Sequence, residues 1–235
     1  MTLSSFKDRT GADDTKFIFL LCSERSGSNL ITRIFDSHSD ICGPVPSHIG
    51  RYLLGNLHRY RLSTRDGLNA YVEDMIELFD AKIGAWKTQP DAKQLQTTIQ
   101  AHSPLDAYLD IYQSEARANK KPFIFIKDLR VYDWLTLLAP ILDRARFIYM
   151  VRDPRDMSLS WKNAPALRGG VLRASHVWAE DQEAYCRVIA QIEYLSGLRV
   201  PVITYESLLA EPTKTLEFAC SELGIDFEPA MINFH

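Results

Sequence analysis

The sequence predicts an α/β protein with a central, mainly parallel sheet flanked by helices on both faces. Three observations carry that expectation. Short, nearly wholly apolar runs rich in β-branched and aromatic residues recur along the chain, the pattern of strands buried on both faces. Segments of helical periodicity lie between and after them. Their alternation is what parallel strands joined by crossover helices require.

In chain order, the strand-like runs are residues 17–22, 123–127, 146–151 and 200–205. Helical patterns cover 29–37, 66–86, 105–118, 132–142, 154–163, 173–196 and 212–223. Residues 85–104, polar and containing Pro90 and Pro104, read as a surface excursion, and 164–171, with Pro165 and Gly169-Gly170, as a mobile loop or lid. Trp134, Trp161, Trp178, Tyr185 and Tyr194 fall in helical patterns and are expected to pack in the core. With 235 residues and 46% hydrophobic content the chain can bury a sizeable core as a single domain over 1–235. Residues 51–122 are expected to form a mostly helical insertion.

The formal net charge of −3 lacks the basic footprint of a nucleic-acid binder, so no nucleic acid is expected as partner. No stretch approaches the roughly 20 apolar residues that span a bilayer. Residues 1–9 lack an apolar signal region and read as a short polar lead-in. Cys22, Cys42, Cys186 and Cys220 are scattered, with no CxxC and no zinc spacing. These features predict a reduced, soluble, cytoplasmic protein.

The first strand stops abruptly at Ser23-Glu24-Arg25-Ser26-Gly27-Ser28, and a helix pattern opens at Asn29. A strand, a small-residue turn and a helix N-terminus make an anion site, because N–H groups converge, the helix dipole favours negative charge and glycine permits close approach. Arg25 adds a planar donor fork. In open α/β sheets, ligands bind beyond the carboxyl ends of the strands. A second anchor follows the strand at 146–151, where Arg152 leaves the strand and Asp153-Pro154 starts a helix carrying Ser160. A guanidinium and a hydroxyl from that unit can converge on a second phosphate.

This pairing of Arg25-Ser26-Gly27-Ser28 with Arg152 and Ser160 resembles the sulfotransferases that use 3′-phosphoadenosine-5′-phosphosulfate (PAPS). The likeness is greatest to their bacterial and tyrosylprotein-type branches, which carry Arg in the first motif. The resemblance runs from residue 16 to 235, is weak over 51–122, and implies a P-loop-like three-layer fold. It assigns the 5′-phosphosulfate to Arg25, Ser26, Gly27, Ser28 and Asn29, and the 3′-phosphate to Arg152 and Ser160. Tyr205, in a segment similar to the family's Tyr-Glu-Asp-Leu region, is implied as an adenine contact. Lys127 stands where the family places a lysine on the oxygen bridging phosphate and sulfonate. A fixed ammonium there stabilises the charge that the leaving group gains.

The implied reaction, which needs no metal, is sulfonate transfer to a hydroxyl or amine of a small-molecule, carbohydrate or lipid acceptor. The acceptor side is expected from 51–122 and from 164–171. For the base, many relatives place a His shortly after the lysine, but Leu129 stands there; others use a Glu where this chain reads Asp40 to His48 without one. His48 is the local substitute, since imidazole titrates near neutral pH. Glu24, as a group orienting Arg25 or acting on the acceptor, and Asp128 are further candidates, whereas His38 is expected to cap or pack against the first helix. Two departures from the family stand out: Leu30 replaces a stacking aromatic, and no nucleotide-covering segment follows the Leu223-Gly224-Ile225 region, so the C-terminal end reads as truncated or covered from elsewhere.

Two alternatives remain. A P-loop-type nucleotide kinase would need GxxxxGK[ST], whereas Cys22 precedes Gly27 by five and Ser28-Asn29 follow it. A non-catalytic nucleotide-binding member of the same fold would lack a base, as the missing Glu after Gly43 allows. A dinucleotide dehydrogenase fails for want of GxGxxG.

Overall fold

The computed structural model describes residues 15–81 and 84–233. The expected lead-in at 1–9 and the chain end at Phe234-His235 lie outside the described residues. Five strands, β1 (Lys16–Cys22), β2 (Ile41–Cys42), β3 (Phe123–Lys127), β4 (Ala145–Val151) and β5 (Val202–Thr204), form one sheet in the order β2-β3-β1-β4-β5. Every neighbouring pair is parallel. The helices are α1 (Ser28–Asp36), α2 (Ile49–Tyr52), α3 (Arg65–Asp80), α4 (Ala92–Ala101), α5 (Pro104–Ala118), α6 (Pro154–Lys162), α7 (Gly170–Ser196), α8 (Tyr205–Ala210) and α9 (Pro212–Leu223).

Side-chain alternation along β1 explains the two cores. Phe17, Phe19 and Leu21 face one layer, with residues of α3, α4, α5 and α7, while Ile18, Leu20 and Cys22 face the other, with α1 and α9. Both faces are covered, which is why β1 and β3 read as continuous apolar runs and not as alternating patterns. Phe19 sits opposite Ile126 on β3 and Phe147 on β4, so β1 is paired on both edges. The chain leaves β1 towards β2 and β3 on one side, then crosses to β4 and β5 on the other. The switch in direction opens a crevice at the carboxyl end of β1.

Several expectations need correction. The run at 200–205 is a strand only over Val202–Thr204, and Tyr205 opens α8. A capping box ends it: Thr204 Oγ1 accepts from Ser207 N (3.0 Å) and Ser207 Oγ from Thr204 N (3.3 Å). The excursion at 85–104 contains α4, capped by Asp91 and burying Leu95 and Ile99 one turn apart. The helix expected over 66–86 ends at Asp80, and Trp86 packs instead from a loop against Phe79 and Tyr112. Over 132–142 the chain forms 3₁₀ turns at Val131–Asp133 and Leu135–Ile141, with Pro140 inside the second. The two-residue β2 is too short for a period to show. In the segment 164–171, expected as a mobile loop or lid, Arg168 O accepts from Trp161 Nε1 of α6 (3.0 Å), and Leu167 N donates within the segment to Ala164 O (3.1 Å). Trp134, Trp161 and Tyr185 are buried as expected, but Tyr194 is 87% exposed.

Phe125, fully buried on β3, stacks on Phe35 of α1 at 4.5 Å between ring centroids. Phe125→Ala should cost about 3–5 kcal/mol of stability, read as a lower urea midpoint at unchanged slope.

Candidate functional site

β1 runs into a turn with two left-handed residues, Arg25 (φ 65°) and Gly27 (φ 93°). Gly27 is the N-cap of α1 and accepts from Leu30 N (2.9 Å) and Ile31 N (3.2 Å), with no side chain capping the helix. The N–H groups at the start of α1 therefore lack acceptors within the helix, an arrangement suited to an oxyanion. Glycine is required at position 27 twice over. Besides its φ, a Cβ there would lie 2.3 Å from Tyr205 Cδ2 and 3.1 Å from Met150 Cε.

The cations expected from sequence meet at this turn. Arg25 Nε donates to Ser160 Oγ (3.0 Å), and Arg152 Nη1 donates to Arg25 O (3.1 Å). The Arg152 guanidinium lies over the Tyr205 ring at 4.2 Å, and its Nε is buried without a hydrogen-bond partner. From the other side, Lys127 Nζ donates to Asn29 Oδ1 (2.8 Å). Burial lowers the pKa of the Lys127 ammonium and Arg25 adds to that, while Asp128 and Glu24 act against it. The turn residues Arg25 to Asn29 thus sit with Lys127, Arg152, Ser160 and Tyr205 at one end of the sheet. Helix α7 holds the same end in place: Trp178 Nε1 donates to Arg152 O (3.1 Å), Gln182 Nε2 to Ser23 Oγ (3.3 Å) and Tyr185 OH to Cys22 O (3.1 Å). The spacing of these three residues places them on one helix face, a signal that sequence reading took for core packing alone.

His48 stands just before α2 with φ 62°, and its Nδ1 is buried without a partner. Burial lowers its pKa, Lys127 and Arg51 lower it further, and Glu24 opposes them. The imidazole is therefore neutral at pH 7 and feels the Lys127 charge. Glu24 neither orients Arg25 nor stands free for an acceptor: it forms an ion pair with Arg51. Asp128, 1% exposed, accepts from Gly50 N (2.8 Å), Arg51 N (3.3 Å), Leu129 N (2.9 Å) and Tyr108 OH (3.4 Å). So enclosed, it is unsuited to meeting an acceptor. Burial drives its pKa up to about 6 against the pull of those donors. His38, expected to cap or pack against the first helix, is buried after α1 with its Nε2 on Asp226 O (2.9 Å) and its Nδ1 accepting from Asp40 N (3.0 Å). Among the described residues no group of three or more His, Cys, Asp or Glu side chains could share a metal ion.

Residues 18–229 match the family model described as the sulfotransferase family. The chain belongs to the sulfotransferase family. Solved sulfotransferases share its fold at low identity. A sulfotransferase domain from the Synechococcus PCC 7002 olefin synthase is 21% identical over 97% of this chain and 80% of that one, with a TM-score of 0.57. One from the curacin biosynthetic pathway is 20% identical over 93% and 77%, at 0.56. A sulfotransferase from Alicyclobacillus acidocaldarius is 15% identical over 95% and 90%, at 0.51. No curated protein sequence is similar enough to this chain to count as a match. No described helix of this sulfotransferase is long and apolar enough to cross a membrane.

The raised pKa of Asp128, about 6 against 3.8, means that the folded chain holds a proton there that the unfolded chain releases between those values. Its stability contribution is thus present below about pH 4 and lost as pH rises through about 6. Relative to Asp128→Asn, which cannot titrate, the wild-type urea midpoint should fall from about pH 4 to about pH 7; parallel curves would show that Asp128 does not titrate in this way.

Proposed function

We propose that this sulfotransferase moves a sulfonate group from PAPS to a hydroxyl or amine of a small-molecule, carbohydrate or lipid acceptor by in-line displacement. The observation that carries the reading is the joining of two anion anchors: Arg152 bonds the carbonyl of Arg25 while Ser160 bonds its guanidinium. Two phosphate-sized anions a short distance apart are what a 3′,5′-bisphosphorylated nucleoside presents. The orphaned Arg152 Nε fits such a ligand, and glycine at position 27 lets the Tyr205 ring pack against the turn. A mouse sulfotransferase, SULT7A1, of similar fold (13% identity over 98% of this chain and 66% of that one, TM-score 0.50) is described as complexed with PAP.

In this reading Arg25 and the N–H groups at the start of α1 bind the 5′-phosphosulfate. Arg152 and Ser160 take the 3′-phosphate, and Tyr205, held between Arg152 and Gly27, lies beside the adenosine. As the acceptor oxygen bonds to sulfur, the bond from sulfur to the 5′-phosphate oxygen breaks and charge gathers on that phosphate, which Lys127 and Arg25 stabilise. His48, through its Nε2, takes the acceptor's proton. Positioning and electrostatics supply most of the acceleration, as in phosphoryl transfer. The helices between 51 and 122 form the acceptor side of the single domain.

Thermal midpoints with adenosine 3′,5′-bisphosphate, with ATP plus magnesium and with NAD test the donor site. At 100 times its dissociation constant a ligand adds roughly 2.7 kcal/mol, a shift of about 5–11 °C for a chain of this size. The bisphosphate alone should raise the midpoint; a response to ATP with magnesium alone would sink the reading. Lys127→Met should cut turnover of labelled PAPS by about 100-fold or more while bisphosphate affinity changes little. Because the His48 pKa lies below 6.5, wild-type turnover should hold through neutral pH and fall only below the ordinary histidine range. His48→Ala should lower turnover and abolish that acid limb, and an unchanged limb would remove His48 from the mechanism.

A further inference from the structure

We propose that Asp128 is the residue that positions His48, through the backbone of α2; the inference rests on the reading of His48 as the base. α2 has only four residues, too few to hold its own shape. Within it, the N–H groups of Ile49, Gly50 and Arg51 have no helical acceptor. Ser47 Oγ accepts from Ile49 N (3.3 Å), and the Asp128 carboxylate takes the other two, Gly50 N at 2.8 Å and Arg51 N at 3.3 Å. The fit leaves no slack: a Cβ at Gly50 would lie 2.5 Å from Asp128 Oδ2 and 2.7 Å from Trp134 Cζ2.

His48 needs such an anchor because it has little of its own. Its backbone is left-handed and its buried Nδ1 makes no hydrogen bond, so the ring's place follows from the main chain on either side. Asp128 directly follows Lys127, and the two side chains leave the end of β3 in different directions, Lys127 to Asn29 of α1 and Asp128 to α2. One strand end thus fixes both the cation that meets the leaving group and the loop that carries the base. The charged groups bearing on His48 are Lys127, Arg51 and Glu24, and each keeps its own anchor when Asp128 is altered, apart from the Arg51 main chain.

Two measurements on the whole chain test this without an acceptor. In the wild type, amide hydrogen exchange at Gly50 and Arg51 should be slowed well below the unprotected rate, although neither amide has a helical partner; exchange at the unprotected rate would overturn the proposal. In Asp128→Asn, His48 ring NMR should show a titration midpoint raised towards the ordinary histidine value, as the ring leaves its buried site beside Lys127. Gly50→Ala, whose added Cβ would press α2 away from Asp128 Oδ2, should do the same if the Asn variant folds poorly. An unchanged His48 midpoint in a folded variant would refute the role of Asp128. The midpoint shift with adenosine 3′,5′-bisphosphate should match the wild type in both variants. Its absence in the wild type would sink the PAPS reading while leaving the His48 titration to judge Asp128.

Discussion

Parallel pairing of β1 on both of its edges is the constraint from which the site follows. Parallel strands end at the same side of the sheet, so the residues that leave β1, β3 and β4 emerge side by side without further instruction. Leu20 lies opposite Lys127, and Cys22 opposite Met150, which places the turn after β1 between the lysine and Arg152. The reversal of strand order at β1 then parts the flanking crossovers and leaves the crevice open. Had β1 been an edge strand, one of the two cations would have had no route to the turn.

That arrangement concentrates positive charge in a chain that is acidic overall. Arg25, Arg51, Lys127 and Arg152 bear on one small volume, and burial already lowers the Lys127 pKa. The fold offsets this in two ways. Glu24 pairs with Arg51, so one cation is neutralised beside the turn. The Arg152 guanidinium rests on the Tyr205 ring and gives a hydrogen bond to a main-chain carbonyl, contacts that leave its charge unpaired. The balance differs accordingly across the site, with the α2 side internally compensated and the Arg25–Arg152–Ser160 side keeping its charge for an anion.

How much of this could be read in the sequence depended on the range of each interaction. β1, β3 and β4 were legible because burial on both faces leaves an apolar run with no alternation to disguise it, and the start of α6 because Asp153-Pro154 is a local capping signal. Residues Arg25 to Asn29 and Arg152 were legible as strand exits of the right chemistry. Local signals were also overlooked, namely the Thr204–Ser207 box that makes Tyr205 helical and the Asp91 cap of α4. The partnership of Glu24 with Arg51 and the contacts of Asp128 with Gly50 and Arg51 span 27 residues and 77–78 residues of chain. No local pattern encodes such pairings, and a strand-end Asp beside a Lys reads as that Lys's partner until the backbone of α2 is seen to claim it.

The division of labour at the end of β3 follows from the same distances. In the proposed reaction the cation that stabilises the leaving group must stay still while charge develops, and Lys127, assigned that role, is fixed by burial and by its hydrogen bond to Asn29 of α1. A base must instead meet an acceptor that approaches from outside the sheet, so it belongs on a connection and not on a strand. Such a loop histidine, with its buried Nδ1 making no hydrogen bond, must face the acceptor yet is poorly held. Tying the adjoining turn of helix to a buried carboxylate resolves that conflict, because the main chain is held while the imidazole keeps its nitrogens for a proton. On the proposed reading, placing that carboxylate next to the lysine in sequence couples the leaving-group cation and the base through a single peptide bond. A shift of β3 that disturbed one would therefore disturb the other.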